Sequence, residues 1–579
     1  MKQKMLRFFF ISLAFIGLSG KIMADTAQEI ANYINSITYG DLTAVVSGNT
    51  VTVSSTPGVT ATPNNADFLK FSIDGGVTVI WKATLNGTPS SNFSLINISG
   101  GSGLFEMQSG NITNSGTGRA ITNNSASEVR ISGGTVSTSK GTTIYNASSG
   151  ELNILGNSTV SSGTIAIENV STGKVRISGG IVITTNDGSM FCTNAIDNTS
   201  SGTIEVSGGT VSAVCGSAIR NSNTYTSGTV NVSGGTVMTT SEQEGTKAIY
   251  SCGIVNISGG TVSAIKGNAI CITRGTANIS DNAYITSANT SSWPYSNGTI
   301  YLDISSNGIL NINGGTIENT ASGNAIYSNA LADGTVNVSA GTITAGGNTI
   351  DVEGNKAAVN ISGGTISTYG SSKAAVYVWW SKVNITGGTV STTQSNSYAI
   401  YLDNYAKISL GGNPTITGRI YTYSQGLSVL TDGIDLFAPG SKIYTLDFPS
   451  ELYSSSTIAV MDGRNFLANF ALYNPAWKLL PSGAHLAMEP SGVDIKETNN
   501  DLSLQIYPNP TSGQLTIESG EVKIGNVEIY DVIGKKIITH QMFQMSPEIV
   551  IDISHLQAGF YFLRITTEAG EVIKKVLKE

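Results

Sequence analysis

Charge is scarce in this chain. Asp, Glu, Lys and Arg make up only 12% of its 579 residues, about half the share usual in globular proteins. The basic residues are scattered and the formal net charge is -8, so nucleic acid and anionic membrane surfaces are disfavoured as partners. Histidine is scarcer still. His485, His540 and His555 all lie in the last fifth of the sequence, which excludes a Ser-His-type triad or a histidine-ligated metal from the long central region. No acidic repeat of fixed spacing exists to hold calcium, and no metal or other cofactor is expected. Beyond the N-terminus no apolar run approaches the roughly 20 residues that span a bilayer, so no membrane span is expected in the mature protein.

The one apolar run is short. Lys2, Lys4 and Arg7 precede Phe8 to Leu18, and Ile22-Met23-Ala24 follows as a cleavage-type sequence. A run of 11 residues after a basic start fits a secretory signal peptide over residues 1–24.

What the chain has instead is Gly, Ser, Thr and Asn, interrupted at regular intervals by single aliphatic residues. An alanine or threonine followed by an aliphatic recurs at Ile121, Ile144, Ile167, Ile196, Ile219, Ile249, Ile270, Ile300, Ile326, Ile350, Val376 and Ile400. A second phrase follows each one, as in Val175-Arg176-Ile177-Ser178-Gly179-Gly180. Both return every 21 to 33 residues, and a fixed period of that size signals a solenoid whose units bury their apolar faces only by stacking.

Within a unit, runs such as Ala399-Ile400-Tyr401-Leu402-Asp403 alternate with period two, and Gly-Gly pairs such as Gly411-Gly412 supply the bends. The expected fold class is all-β. It comprises a parallel β-helix with three strands per coil over residues 40–426, followed by a small C-terminal β-sandwich. A helical cap over 25–39, with Ile30, Ala31 and Ile34 on one side, protects the first edge. Residues 427–490 form the second cap, and 491–503 a linker.

Two residues after the repeat aliphatic stand Asn123, Asn146, Asn169, Asn198 and Asn221, a column of amides able to bond along the stack. Cys192 and Cys215 each precede the repeat alanine by three residues, so they stack in successive coils ~4.8 Å apart. That spacing admits a disulfide, and it equally admits two free thiols packed as small hydrophobes. Cys252 and Cys271 are two positions out of register and make a weaker pair.

From Leu502 the composition turns charged. Ile506-Tyr507-Pro508-Asn509-Pro510-Thr511-Ser512-Gly513 opens this region. Val527-Glu528-Ile529-Tyr530-Asp531-Val532-Ile533-Gly534-Lys535 and Ala558-Gly559-Phe560-Tyr561-Phe562-Leu563-Arg564 follow. Alternating strands between Pro/Gly turns describe a small β-sandwich. These residues resemble the type A C-terminal sorting domain of the type IX secretion system of Bacteroidota. On that resemblance residues 504–579 are the sorting domain, with Tyr507, Pro508, Asn509, Pro510, Gly513, Gly534, Lys535, Gly559, Tyr561 and Arg564 as its motif positions. It implies passage through the type IX machinery, removal of the tail, and release or attachment to surface lipopolysaccharide. The remainder resembles pectate-lyase-like β-helix surface proteins by fold analogy only.

One stretch of the array departs from its uncharged monotony. One and three residues after the repeat aliphatic come Tyr301 and Asp303, Tyr327, Asp351 and Glu353, Tyr377 and Trp379, and Tyr401 and Asp403. In register these make one outward, exposed stripe. Aromatics stack on sugar rings while acids hold their hydroxyls; outward aromatics also simply suit a β surface. A catalytic version would use Glu353 with Asp303 or Asp403, two coils or roughly 10 Å apart, near the spacing of an inverting carboxylate pair. The expected function is therefore a secreted or cell-surface adhesin or structural module that meets glycans or host surfaces. A polysaccharide-binding or polysaccharide-degrading lyase or hydrolase is the alternative.

Overall fold

The computed structural model describes residues 25–37, 41–56, 67–185, 193–222, 228–290, 297–302, 308–329, 334–354, 357–423, 427–429, 442–454, 457–461, 464–491, 504–520, 522–532 and 534–579. The signal-peptide region, most of the 491–503 linker, Cys192 and Asp303 lie outside them. The fold is all-β, with a β-solenoid of about 14 turns over residues 50–472. The described chain divides into two compact units, residues 1–448 with 460–469, and residues 449–459 with 470–579.

The first unit opens with the helix Ala27–Ser36. Thr26 caps it: its hydroxyl accepts from the Glu29 N–H, and its own N–H donates to the Glu29 carboxylate at 2.9 Å. This capping box satisfies two otherwise orphaned donors. Ala27, Ile30, Ala31 and Ile34 form the buried face. Asn35 docks the helix by bonding both the carbonyl and the N–H of Ala44. Leu42–Ser47, the strand so held, runs antiparallel to Thr50–Ser55, and every later pairing along the array is parallel from Thr50–Thr78 onward. A helix and a hairpin thus cover the open end of the stack, where a bare strand edge would recruit other chains.

Each repeat then supplies strands in a fixed order. Glu128–Ile131, Thr135–Thr138 and Ile144–Asn146 pair in parallel with Leu152–Ile154, Thr159–Ser162 and Ile167–Asn169 of the next unit. Strict alternation sends Val129 and Ile131 inward and Glu128 and Arg130 outward. The repeat aliphatics are register partners from Ile96 and Ile121 through Ile400 and Ile420, and all are fully buried. Burying one such side chain is worth about 1.5–3 kcal/mol, and a slip of one residue would turn the whole column outward. That penalty sets the register.

Backbone approach at the bends explains the Gly-Gly pairs. Gly235 has φ +70°, and a Cβ there would sit 2.6 Å from the Gly208 carbonyl carbon of the turn below. Neither the conformation nor the space admits another residue. The inner asparagines form the column read from the sequence. Asn146 donates to Asn169 at 2.9 Å, Asn169 to Asn198 at 2.8 Å and Asn198 to Asn221 at 2.8 Å. Each also donates to the carbonyl four residues on, Gly150, Gly173 or Gly202, so a buried amide is satisfied at every coil. A second, outer asparagine ladder runs on another face, from Asn231 through Asn256, Asn278, Asn311, Asn337 and Asn360 to Asn384, with bonds of 2.8–2.9 Å.

In the second unit the tail has two antiparallel sheets. One contains Gln505–Tyr507, Gln514–Glu518 and Glu548–Asp552; the other contains Ile524–Tyr530, Lys536–Ser546, Gly559–Thr567 and Gly570–Lys578. Leu515, Ile517 and Ile551 of the first share one core with Val527, Ile529, Leu563 and Val576 of the second.

Candidate functional site

Stacking in register places one outward side chain per turn in a column. Over the second half of the array this column reads Tyr250, Cys271, Tyr301, Tyr327, Asp351, Tyr377, Tyr401 and Tyr421, each the register partner of the next. Beside it runs a shorter column of Glu353, Trp379 and Asp403. The stripe residues are therefore brought together as their spacing implies, apart from Asp303, which lies outside the described residues.

Exposure is where the expectation fails for part of the stripe. Tyr301, Tyr327 and Asp351 are 2%, 3% and 6% exposed, so they belong to the interior. The reason is local packing. The Tyr301 and Tyr327 rings stack with centroids 6.0 Å apart at 13°, and Cys271 and Tyr250 extend the cluster. Gly298 closes against it, for a Cβ there would stand 3.0 Å from the Tyr327 nitrogen. The accessible part of the column is its upper end. There Tyr377 and Tyr401 stack at 5.4 Å, and Tyr401 and Tyr421 at 4.6 Å. Trp379 is exposed.

Acids and tyrosine hydroxyls are paired from turn to turn. Tyr327 donates to Glu353 at 3.0 Å and Tyr377 donates to Asp403 at 2.9 Å. Burial first, and then the neighbouring carboxylate, push both phenols far above their ordinary range. Asp351 sits between them with Asn324 and Asn348 both donating to Oδ2, at 3.0 and 2.9 Å, while its buried Oδ1 has no partner. Burial raises this carboxyl to about 7, and the Asn348 hydrogen bond offsets part of the rise.

Above Asp351 opens a cleft of about 260 Å³ lined by Asn348, Ser372, Lys373, Tyr377, Tyr398 and Tyr401. Arg419 lies 4.5 Å over the Tyr398 ring and pairs with Asp447 at 3.0 Å. Another cleft, of about 340 Å³, sits lower on the same column around Arg220, Lys247 and Tyr250; Arg220 is there held by Asp197 at 3.1 Å.

Tyr398, Tyr421, Trp380 and Tyr405 are additions that spacing alone missed. The register shifts between Tyr398 and Ile400, so counting from the repeat aliphatic loses the column there. Trp380 and Tyr405 sit in bends, where period-two reading does not apply.

Of the cysteines, Cys252 and Cys271 are free thiols and Cys215 is disulfide-bonded. Ile196 is the register partner of Ile219, and Cys192 and Cys215 each stand four residues earlier.

The sorting-motif residues cluster at the end of the tail. The Asn509 side chain donates to the Lys575 carbonyl and accepts from the Leu577 N–H, both at 2.9 Å. The Tyr507 hydroxyl donates to Glu518 at 2.9 Å. Gly513 packs so closely that a Cβ would lie 2.9 Å from Ser554 Cβ. Gly534, at φ +77°, closes the turn in which the Lys535 N–H reaches the Asp531 carboxylate. Lys535 itself is exposed, and Gly559 opens the strand Gly559–Thr567. Tyr561 donates to the Gln557 carbonyl, and Arg564 pairs with Glu571 at 2.7 Å.

No helix among the described residues is long and apolar enough to cross a membrane. No curated protein and no solved structure matches the chain. Residues 505–579 match the family model of the secretion system C-terminal sorting domain. The chain thus ends in a type IX sorting domain, the tail of a protein that engages the type IX secretion machinery and is exported to the cell surface or secreted.

Proposed function

We propose that the exported solenoid is a non-enzymatic adhesin or interaction module that meets glycans through the upper end of its tyrosine column. The observation that carries this reading is the outward stack of Tyr377, Tyr401 and Tyr421 beside an open cleft. Flat aromatic faces bind the apolar faces of sugar rings, and nearby polar groups orient their hydroxyls. Stacking with a repeat of ~4.8 Å offers a polymer several contacts in a row. Alongside this we read three strands per coil, a two-sheet sandwich for the tail, a Cys192–Cys215 disulfide, and attachment to surface lipopolysaccharide as one fate after the tail is removed.

The polysaccharide-degrading alternative has a narrower basis. Glu353 and Asp403 are two turns apart in one column, but each accepts a tyrosine hydroxyl, and the buried Asp351 cannot touch a substrate. The test is a glycan array with mature protein and with Tyr377→Ala and Tyr401→Ala. Loss of retention by both variants supports the binding reading, whereas unchanged retention refutes it. Reducing ends or unsaturated sugars released from the same glycans would replace it with the enzymatic one.

A further inference from the structure

At the corner following the tyrosine column, the solenoid exposes large aromatic surface. Trp379, Trp380 and Tyr405 are 37%, 41% and 74% exposed. Their rings touch: Trp379 and Trp380 are 5.4 Å apart at 32°, and Trp380 and Tyr405 meet edge to face at 5.7 Å. Trp380 adopts φ +64° and Asn404 φ +50°. A left-handed conformation is unfavourable for a bulky side chain, and such outliers gather where function demands them. Nothing in the core is gained by it, since the indole points to solvent.

The corner also carries an unneutralised charge pair. Lys382 and Lys407 stand two residues after Trp380 and Tyr405 and are register partners on neighbouring strands. Both are exposed, and among the described residues neither has an ion-pair partner. Like charges directly opposite each other in a sheet are destabilising. The carboxylates nearby do not relieve them. Asp403 accepts from the Tyr377 hydroxyl and the Asn404 N–H, and Glu353 accepts from Tyr327.

We infer that this corner is a binding subsite for an acidic polysaccharide, with a sugar ring on Trp380 and Tyr405 and a carboxylate or sulfate between Lys382 and Lys407. Charge complementarity identifies the ligand class: two stacked ammonium groups lack a counter-charge, and the rings beside them present flat apolar faces. The inference deepens the glycan reading of the tyrosine column but rests on different residues.

The test is affinity electrophoresis of the mature protein through gels holding polygalacturonate, a sulfated glycosaminoglycan or a neutral glucan. Retardation by an acidic glycan, abolished in about 1 M salt, where the screening length is ~3 Å, is the expected result. Losing the charge contacts in Lys382→Gln/Lys407→Gln should weaken acidic binding about tenfold or more, and Trp380→Ala/Tyr405→Ala should do the same. The two acidic gels separate carboxylate from sulfate. Wild-type-like retardation of the lysine variant, or no retardation of the wild type by either acidic glycan, overturns the inference. Neutral-glucan binding lost in Tyr401→Ala but kept in the lysine variant, without acidic binding, would uphold the column and sink the corner. Both lysines are exposed, so that variant keeps its fold even if the aromatic one does not.

Discussion

Tyr377 and Asp403, 26 residues apart in sequence, are joined by a 2.9 Å hydrogen bond across one turn of the solenoid, the phenol donating to Oδ2. The bond ties an aromatic face and an acid into one rigid element, and it separates the two roles of Tyr377. In Tyr377→Phe the ring stays and the bond goes. We expect glycan retention within a factor of about two of wild type and a stability loss of about 1 kcal/mol by denaturant titration. Equal loss of binding in the Phe and Ala variants would show that the hydroxyl, and not the ring face, makes the contact.

Asp351 makes stability depend on pH. Burial raises its carboxyl from an ordinary 3.8 to about 7. Between about pH 4 and 7 the folded chain keeps a proton that the unfolded chain has lost, so stability falls as pH rises through that window and levels off above it. Asp351→Asn should flatten this slope, a difference on the order of a few kcal/mol. Melting temperatures of both proteins across the window check it; parallel profiles would contradict the assignment.

The left-handed backbone at Trp380 predicts an inverted ranking of two small substitutions. Alanine retains the Cβ clash at φ +64° and glycine removes it, so Trp380→Gly should be more stable than Trp380→Ala by about 1 kcal/mol. In an ordinary strand position the order is the reverse. Paired thermal melts decide it.

Alkylation of unfolded, unreduced protein should label Cys252 and Cys271 and spare Cys192 and Cys215, with all four reacting after reduction. Peptide mapping reads the outcome. Labelling of all four without reductant would disprove the disulfide.

Asn509 should matter to export through the fold of the tail. Its side chain makes two bonds to the last strand, at Lys575 and Leu577, and Asn509→Ala removes both, costing about 2 kcal/mol. Faster hydrogen exchange at the Leu577 amide and less protein outside the cell are expected. Slow exchange with failed export would instead assign Asn509 to direct recognition by the machinery.

How much was legible can be judged from particular residues. Ile121 through Ile400 gave away their own register, because a buried aliphatic in a stack has only one set of neighbours that keeps it dry. The Asn146–Asn221 column and the Gly235-type bends followed from the same counting, as did the alignment of Tyr301, Tyr327, Tyr377 and Tyr401. The tail was legible because its motif residues are tied to specific turns and strand contacts. Tyr398 and Tyr421 were not, since the register shifts beside them.

The sequence by itself determined the repeat, the register and the export tail, because each depends on which residues are apolar and how far apart they stand. Only the tertiary structure decided which outward residues meet solvent. Tyr301, Tyr327 and Asp351 occupy the same column as Tyr377 and Tyr401 yet are buried, and Trp380 is exposed although no periodicity points to it. Exposure depends on what neighbouring turns and bends lay over a side chain, and those contacts form between segments more than 20 residues apart in the chain.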